Sequence, residues 1–306
     1  MARKPRIEQA GGIYWVTGRC VAGTRMDPQE RDLFLQVLGH TVARHRWVCS
    51  GYAVLEGGYE LLLTTPEANL SRGMRDLNGE FTQALNRGRG RSGPVFHGRF
   101  KAAVVEAGAP FLEVCRAVVL APVRAGLCGK PGKWTHCSYG PLVGEAERPV
   151  FLEDGWIAEH FGGKPKKARA RFEKFARTGG GSGAPAVKKG LFVGSEAFAV
   201  RLQGAPGKAR KGRPAVSRPA LGALFPKASS LEGPERDAKI VEARLVHGYT
   251  LAQIAQATGL HPATISRIAR KNELESWGAG ELGKKKGPES RRAGEPGKKK
   301  KKKKGK

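Results

Sequence analysis

Residues 13–21, IYWVTGRCV, are β-branched and aromatic with partial alternation, the pattern of a strand. Behind Asp27-Pro28, Leu33, Phe34, Val37, Leu38 and Val42 recur at helical spacing, which predicts a helix over 28–46. Two apolar runs follow, WVCSGYAVL (47–55) and YELLLTT (59–65), and the Glu56-Gly57-Gly58 break between them predicts a hairpin. Over 69–87, Leu70, Met74, Leu77, Phe81 and Leu85 share one helical face opposite Arg72, Arg75 and Arg87, giving an amphipathic helix with a basic side. A strand returns over 95–106, and a helix over 110–120 must stop near Pro122. The order βαββαβ plus a trailing helix predicts an α+β fold, a ferredoxin-like sheet with helices on one face, spanning 1–160.

Beyond 160 the pattern thins. KPKKARARFEKFARTGGGSGAP (164–185) and the Gly-, Pro- and Lys-rich residues 203–230 predict a basic linker over 161–230, with one small ordered island at 190–202. Helical punctuation resumes in a small all-α segment over 231–275. Residues 276–306 form a Lys-rich tail expected to be disordered.

Charge changes the picture more than composition does. The 306 residues carry 55 Lys and Arg against 27 Asp and Glu, a net +28. Of that, 283–306 contributes 11 Lys and 2 Arg against 2 Glu. Such an excess implies a polyanionic partner. No run approaches the ~18–20 apolar residues of a spanning helix, and MARKPRIEQAGG lacks the apolar core of a secretion signal. DNA is therefore expected as the partner rather than a membrane, in a cytoplasmic, nucleoid-associated protein. The five cysteines are scattered without a CxxC pair, so neither a disulfide frame nor a zinc site is suggested.

In LVHGYTLAQIAQATGLHPATISRIARKNE, Thr250 can cap a helix from Leu251 to about Thr258. Gly259 supplies a turn, and His261-Pro262 opens a second helix. Ile254, Ala255, Leu260, Ile265 and Ile268 fall where two crossing helices pack. Outward are Ala263, Thr264, Ser266, Arg267 and Arg270, residues able to enter a major groove and hold phosphate. This resembles a helix-turn-helix.

Other segments carry a second resemblance: MARKPRIE at the start, the stretch YAVLEGGYELLLTTPEANLSRGMRDLNGEFTQALNR (52–87), GPVFHGRFKA (93–102) and PVRAGL (122–127). Together they resemble the REP-associated tyrosine transposases, a branch of the single-tyrosine HUH transposase family. The resemblance covers roughly residues 1–160 and implies a ferredoxin-like domain that binds hairpins of single-stranded DNA. In that family the strand before the LLL run carries Met-Pro-Asn-His-aromatic-His, whose two histidines grip a divalent cation. A tyrosine in a Tyr-Ile-His-Leu-Asn-Pro-Val-Arg-Ala-Gly run is the nucleophile. Here Glu56, Gly57, Gly58 and Glu60 replace the Pro, the Asn and both His, while Ala117 stands for the tyrosine and Ala121 for the asparagine.

That substitution pattern is an emptied metal site. A glycine has no ligand to offer, and an alanine has no oxygen with which to attack phosphorus. The expectation is hairpin or single-stranded DNA binding without strand cleavage, and no cofactor. Glu60 is the one metal ligand left if Mg²⁺ or Mn²⁺ binds, which would suit an active strand transferase with an atypical nucleophile. A third reading is a helix-turn-helix regulator or nucleoid protein with a remnant N-terminal domain. The binding surface is expected from Arg72, Arg75, Asn78, Arg87, Arg99, Lys101, Arg116 and Arg124, with Thr264, Ser266, Arg267 and Arg270 on the C-terminal helix. Phe81, Phe96 and Phe100 are expected in the core, His97 packed or hydrogen-bonded, and Glu106 and Glu113 solvated. Oligomeric state is left open.

Overall fold

The computed structural model describes residues 7–178, 183–188, 190–204, 219–225, 233–247 and 249–269. Strand β1 (Gly12–Arg19) leads to α1 (Pro28–His45), which starts where Asp27 and Glu30 exchange side chain-to-backbone bonds in a capping box. The helix ends at Arg46 in the left-handed conformation (φ 56°). The hairpin of β2 (Val48–Leu55) and β3 (Gly58–Thr65) turns at Glu56-Gly57, and α2 (Leu70–Gly88) buries Leu70, Met74, Leu77, Phe81 and Leu85. Next come β4 (Lys101–Val105), α3 (Ala109–Val119) and α4 (Ala121–Arg124). The βαββαβ order is thus present. The strand expected over 95–106 is confined to its second half, because Gly93 and Gly98 take positive φ and the chain between them is irregular.

The sheet order is β2-β3-β1-β4-β5, with the first four strands antiparallel. Helices cover both faces rather than one. On the first face, Phe34 of α1 stacks on Tyr59 of β3 at 4.8 Å, and Phe81 and Phe96 close the aromatic group. On the other face α3 packs against β2, where a Cβ at Gly51 would make ordinary contact with Val118 and Leu62.

Residues expected to be linker also belong to this core. After α5 (Tyr139–Val143) and α6 (Gly155–Phe161), α7 (Pro165–Thr178) buries Ala168, Phe172 and Ala176 against it, with Phe172 edge-on to Trp156 at 5.3 Å. β5 (Phe192–Val193) then pairs in parallel with β4, and α8 (Glu196–Gly204) follows. Glu106 ties this addition down by accepting from the Ser195 amide (2.7 Å) and from Arg201 (2.8 Å). Those bonds hold its carboxyl below the usual range, the Ser195 amide contributing most, so Glu106 is a structural tie rather than a solvated edge residue. Glu113 likewise pairs with Arg116.

A second, smaller core gathers Leu224, Phe225, Ile240, Ala243, Tyr249, Ile254 and Ile265. It is built from α9 (Leu221–Leu224), α10 (Gly233–Val241), a π-helical turn (Glu242–Val246), α11 (Leu251–Thr258) and a helix over 262–269, here α12. This unit begins before the expected residue 231, since the Tyr249 hydroxyl donates to the Pro219 carbonyl (2.7 Å). Thr250 and Gln253 form the capping box of α11, and Gly259 makes the turn at φ 70°. Arg270 and the Lys-rich tail lie outside the described residues. Among those described, no helix is long and apolar enough to cross a membrane, and the five cysteines are all free thiols.

Candidate nucleic-acid interface

Register places the site. Thr17 of β1 lies opposite both Glu60 of β3 and Lys101 of β4, so the three form one row across the sheet, and Arg19 lies opposite Gly58. Side chains two apart on a strand share a face. Trp15, Thr17 and Arg19 therefore stand with Glu60 on the α3 side. There a cavity of about 580 Å³ opens, bounded by these residues together with Arg25, Glu56, Gly57, Gly58, Ala121 and Arg124.

Glu60 is fully engaged. One carboxylate oxygen accepts from Arg124 Nη2 at 2.6 Å and the other from Trp15 Nε1 at 3.2 Å. Arg124 also donates from Nη1 to the Ala117 carbonyl at 2.8 Å. The guanidinium thus balances the carboxylate and pins the backbone at the alanine of α3. With the two side chains 24% and 15% exposed, this pair is stronger than a surface ion pair and less costly than a fully buried one.

Gly58 is closed off by the backbone. Its φ is 152°, and a Cβ there would lie 2.1 Å from the Gly18 carbonyl oxygen. Gly18 in turn admits the Tyr59 ring, which would be 2.4 Å from a Cβ at position 18. The strand ends approach so closely at this point that any side chain at 58 requires the backbone to move. These residues do not suit a divalent cation, for position 58 has no ligand and no room for one, and both oxygens of Glu60 are occupied. Among the described residues there is no group of three or more His, Cys, Asp or Glu side chains able to hold a metal.

None of the five tyrosines presents a hydroxyl to the cavity. Tyr59 touches it, but its hydroxyl donates to Asn78 Oδ1 (2.8 Å) on the α2 side. The Tyr14 hydroxyl bonds the Gln9 backbone, Tyr52 packs near Phe151 under α1, Tyr139 is buried in α5, and Tyr249 belongs to the small core. Burial raises the pKa of Tyr14, Tyr52 and Tyr139, opposing phenolate formation.

The residues expected to bind DNA separate into groups. Arg72, Arg75 and Arg87 are exposed on α2, while Arg99 and Lys101 are exposed at the start of β4. Three others have internal partners: Asn78 serves Tyr59, Arg116 pairs with Glu113 and lies over the Phe175 ring at 4.9 Å, and Arg124 holds Glu60. On α12, Arg267 is exposed and Thr264 and Ser266 are half-exposed. Phe81, Phe96 and Phe100 are buried as expected, whereas His97 is exposed. The sequence reading missed Trp15, Arg19 and Arg25. The period-two spacing of Trp15, Thr17 and Arg19 was a signal, but only the register shows which strand face they share with Glu60.

No protein-family model matches this chain, and no curated protein does. Among solved structures it is similar to "the REP associates tyrosine transposase bound to a REP hairpin", with a TM-score of 0.43 at 15% identity, over 50% of this chain and 92% of that one.

Proposed function

We propose that this chain is a DNA-binding protein of transposase descent whose ferredoxin-like N-terminal domain holds hairpin or single-stranded DNA without cutting it. The observation that carries the proposal is the Glu60–Arg124–Ala117 link. Where the resemblance calls for a cation-holding histidine and an attacking tyrosine, a guanidinium neutralises the Glu60 carboxylate and fastens the Ala117 carbonyl. Covalent strand transfer of the kind the resemblance implies needs a tyrosine hydroxyl as the attacking oxygen, and no tyrosine turns its hydroxyl into the cavity. Exposed Arg19 on its lining and exposed Lys101, beside Thr17 on the same sheet face, are free to meet phosphates, and the turn-linked α11 and α12 form a helix-turn-helix suited to duplex DNA.

A labelled hairpin with single-stranded flanks tests this directly at two salt concentrations, with and without Mg²⁺ and Mn²⁺. The expected result is binding that weakens steeply with salt, no effect of either cation beyond that of ionic strength, and no adduct after denaturation. A denaturation-resistant adduct would establish a strand transferase instead. The separate small core favours one other reading, a helix-turn-helix regulator with a remnant first domain. Truncation after residue 204, which keeps α7, β5 and α8 in place, decides between them. Hairpin binding persists under our reading and disappears under the regulator reading.

A further inference from the structure

The small helical unit is seated on α1. Its π-helical turn packs against that helix, and Arg244 lies within electrostatic reach of the half-buried His40. α1 itself covers the sheet face that carries Tyr59, opposite the face that carries Glu60. The cavity and the seat of the helical unit are therefore on opposite sides of the sheet and α1. At about 10 Å for each packed layer, DNA held on the cavity face and DNA held on the helical unit stand roughly 20 Å or more apart. That is about twice the ~8–10 Å screening length at physiological salt, so two polyanions held there would repel each other weakly.

Arg236 faces Asp237, Lys239 pairs with Glu242, and Arg244 donates to the Tyr249 carbonyl, whereas Arg267 on α12 is exposed. On the other face of the sheet, exposed Arg19 lines the cavity and exposed Lys101 lies opposite Thr17.

Resting on the DNA-binding reading above, we infer that the chain binds two DNA segments at once, a single strand on the cavity face and a duplex on α12, and so bridges them. A sandwich assay tests this with the full-length protein. A single-stranded oligonucleotide is fixed to beads, protein is added, and retention of a labelled duplex is measured. Protein-dependent retention is expected. Arg267→Ala should lower it about fivefold or more, the loss of one guanidinium contact, while capture of protein by the single strand changes less than about twofold. Lys101→Ala should weaken capture by the single strand and leave binding of the free duplex intact.

If each DNA binds alone but the duplex displaces the single strand, there is one shared surface, and the bridging inference fails while the binding reading stands. Bridging that persists undiminished in Arg267→Ala would assign the duplex to the Lys-rich C-terminal residues and also overturn it. If neither DNA binds, both the inference and the reading beneath it fail.

Discussion

The two faces of the sheet have different organisation. Under α1 and α2, Phe34, Tyr59, Phe81 and Phe96 fill the space with rings, and the polar atom that enters, the Tyr59 hydroxyl, finds Asn78. Under α3 and α4 the sheet carries Glu60, Thr17 and Lys101 beside a cavity, and the polar groups there are balanced by the guanidinium of Arg124. The first face specifies the fold. The second carries a polar cavity held by an ion pair, so packing and polar organisation make separable demands on one sheet.

Placing a histidine at position 58 gives the sharpest break between the faces. A Cβ 2.1 Å from the Gly18 oxygen, on a backbone at φ 152°, should cost about 3–5 kcal/mol in strain and displaced pairing. That rivals Phe34→Ala in the aromatic core, where loss of a buried ring costs about 3–5 kcal/mol. Urea unfolding of the two variants makes the comparison. A Gly58→His protein as stable as the parent would mean that the strand ends are not closed.

Arg124→Met should have a smaller effect. It leaves Glu60 with Trp15 as its remaining partner and frees the Ala117 carbonyl, at a cost of about 1–3 kcal/mol, towards the lower end because both side chains of the pair keep some solvent. Adding Glu60→Gln should recover part of this loss, and a double-mutant cycle measures the coupling. Zero coupling would make the pair incidental and the cavity face merely solvated.

Element order was legible because the apolar periods of two and 3.6 survive intact through residue 120. The partners of Glu60 were not, since Trp15 and Arg124 lie 45 and 64 residues away and meet it only through the register of β1 on β3 and the turn after α3. α7 was hidden by its own surface. Ala168, Phe172 and Ala176 recur every four residues, but the lysines and arginines between them have the composition of a linker. β5 is two residues long, too short for any periodicity to reveal. The closure at Gly58 depends on a carbonyl of another strand, so the sequence showed the absence of a side chain there but not the absence of space for one.

The smallest effect expected is on pH, and it again divides the molecule. His40 and His45 lie on α1, and His136 bonds to that helix, accepting at Nδ1 from Arg31 Nε (3.2 Å) and facing Asp32 through Nε2 (3.0 Å). Burial is the main cause lowering the pKa of all three, opposed at His45 and His136 by Asp76 and Asp32. A depressed folded-state pKa means that the unfolded chain takes up protons first. Their contribution is therefore complete above the ordinary histidine value near 6.5 and falls as pH drops through it towards the folded values. Thermal melts between pH 7.5 and 5.5 should show Tm declining on the acid side, with a shallower decline in His136→Gln. No histidine lines the cavity, so single-strand binding over the part of that range where the protein stays folded should hold steady. A binding curve that followed the melting curve instead would place the DNA contact on the α1 side and reverse the assignment of the two faces.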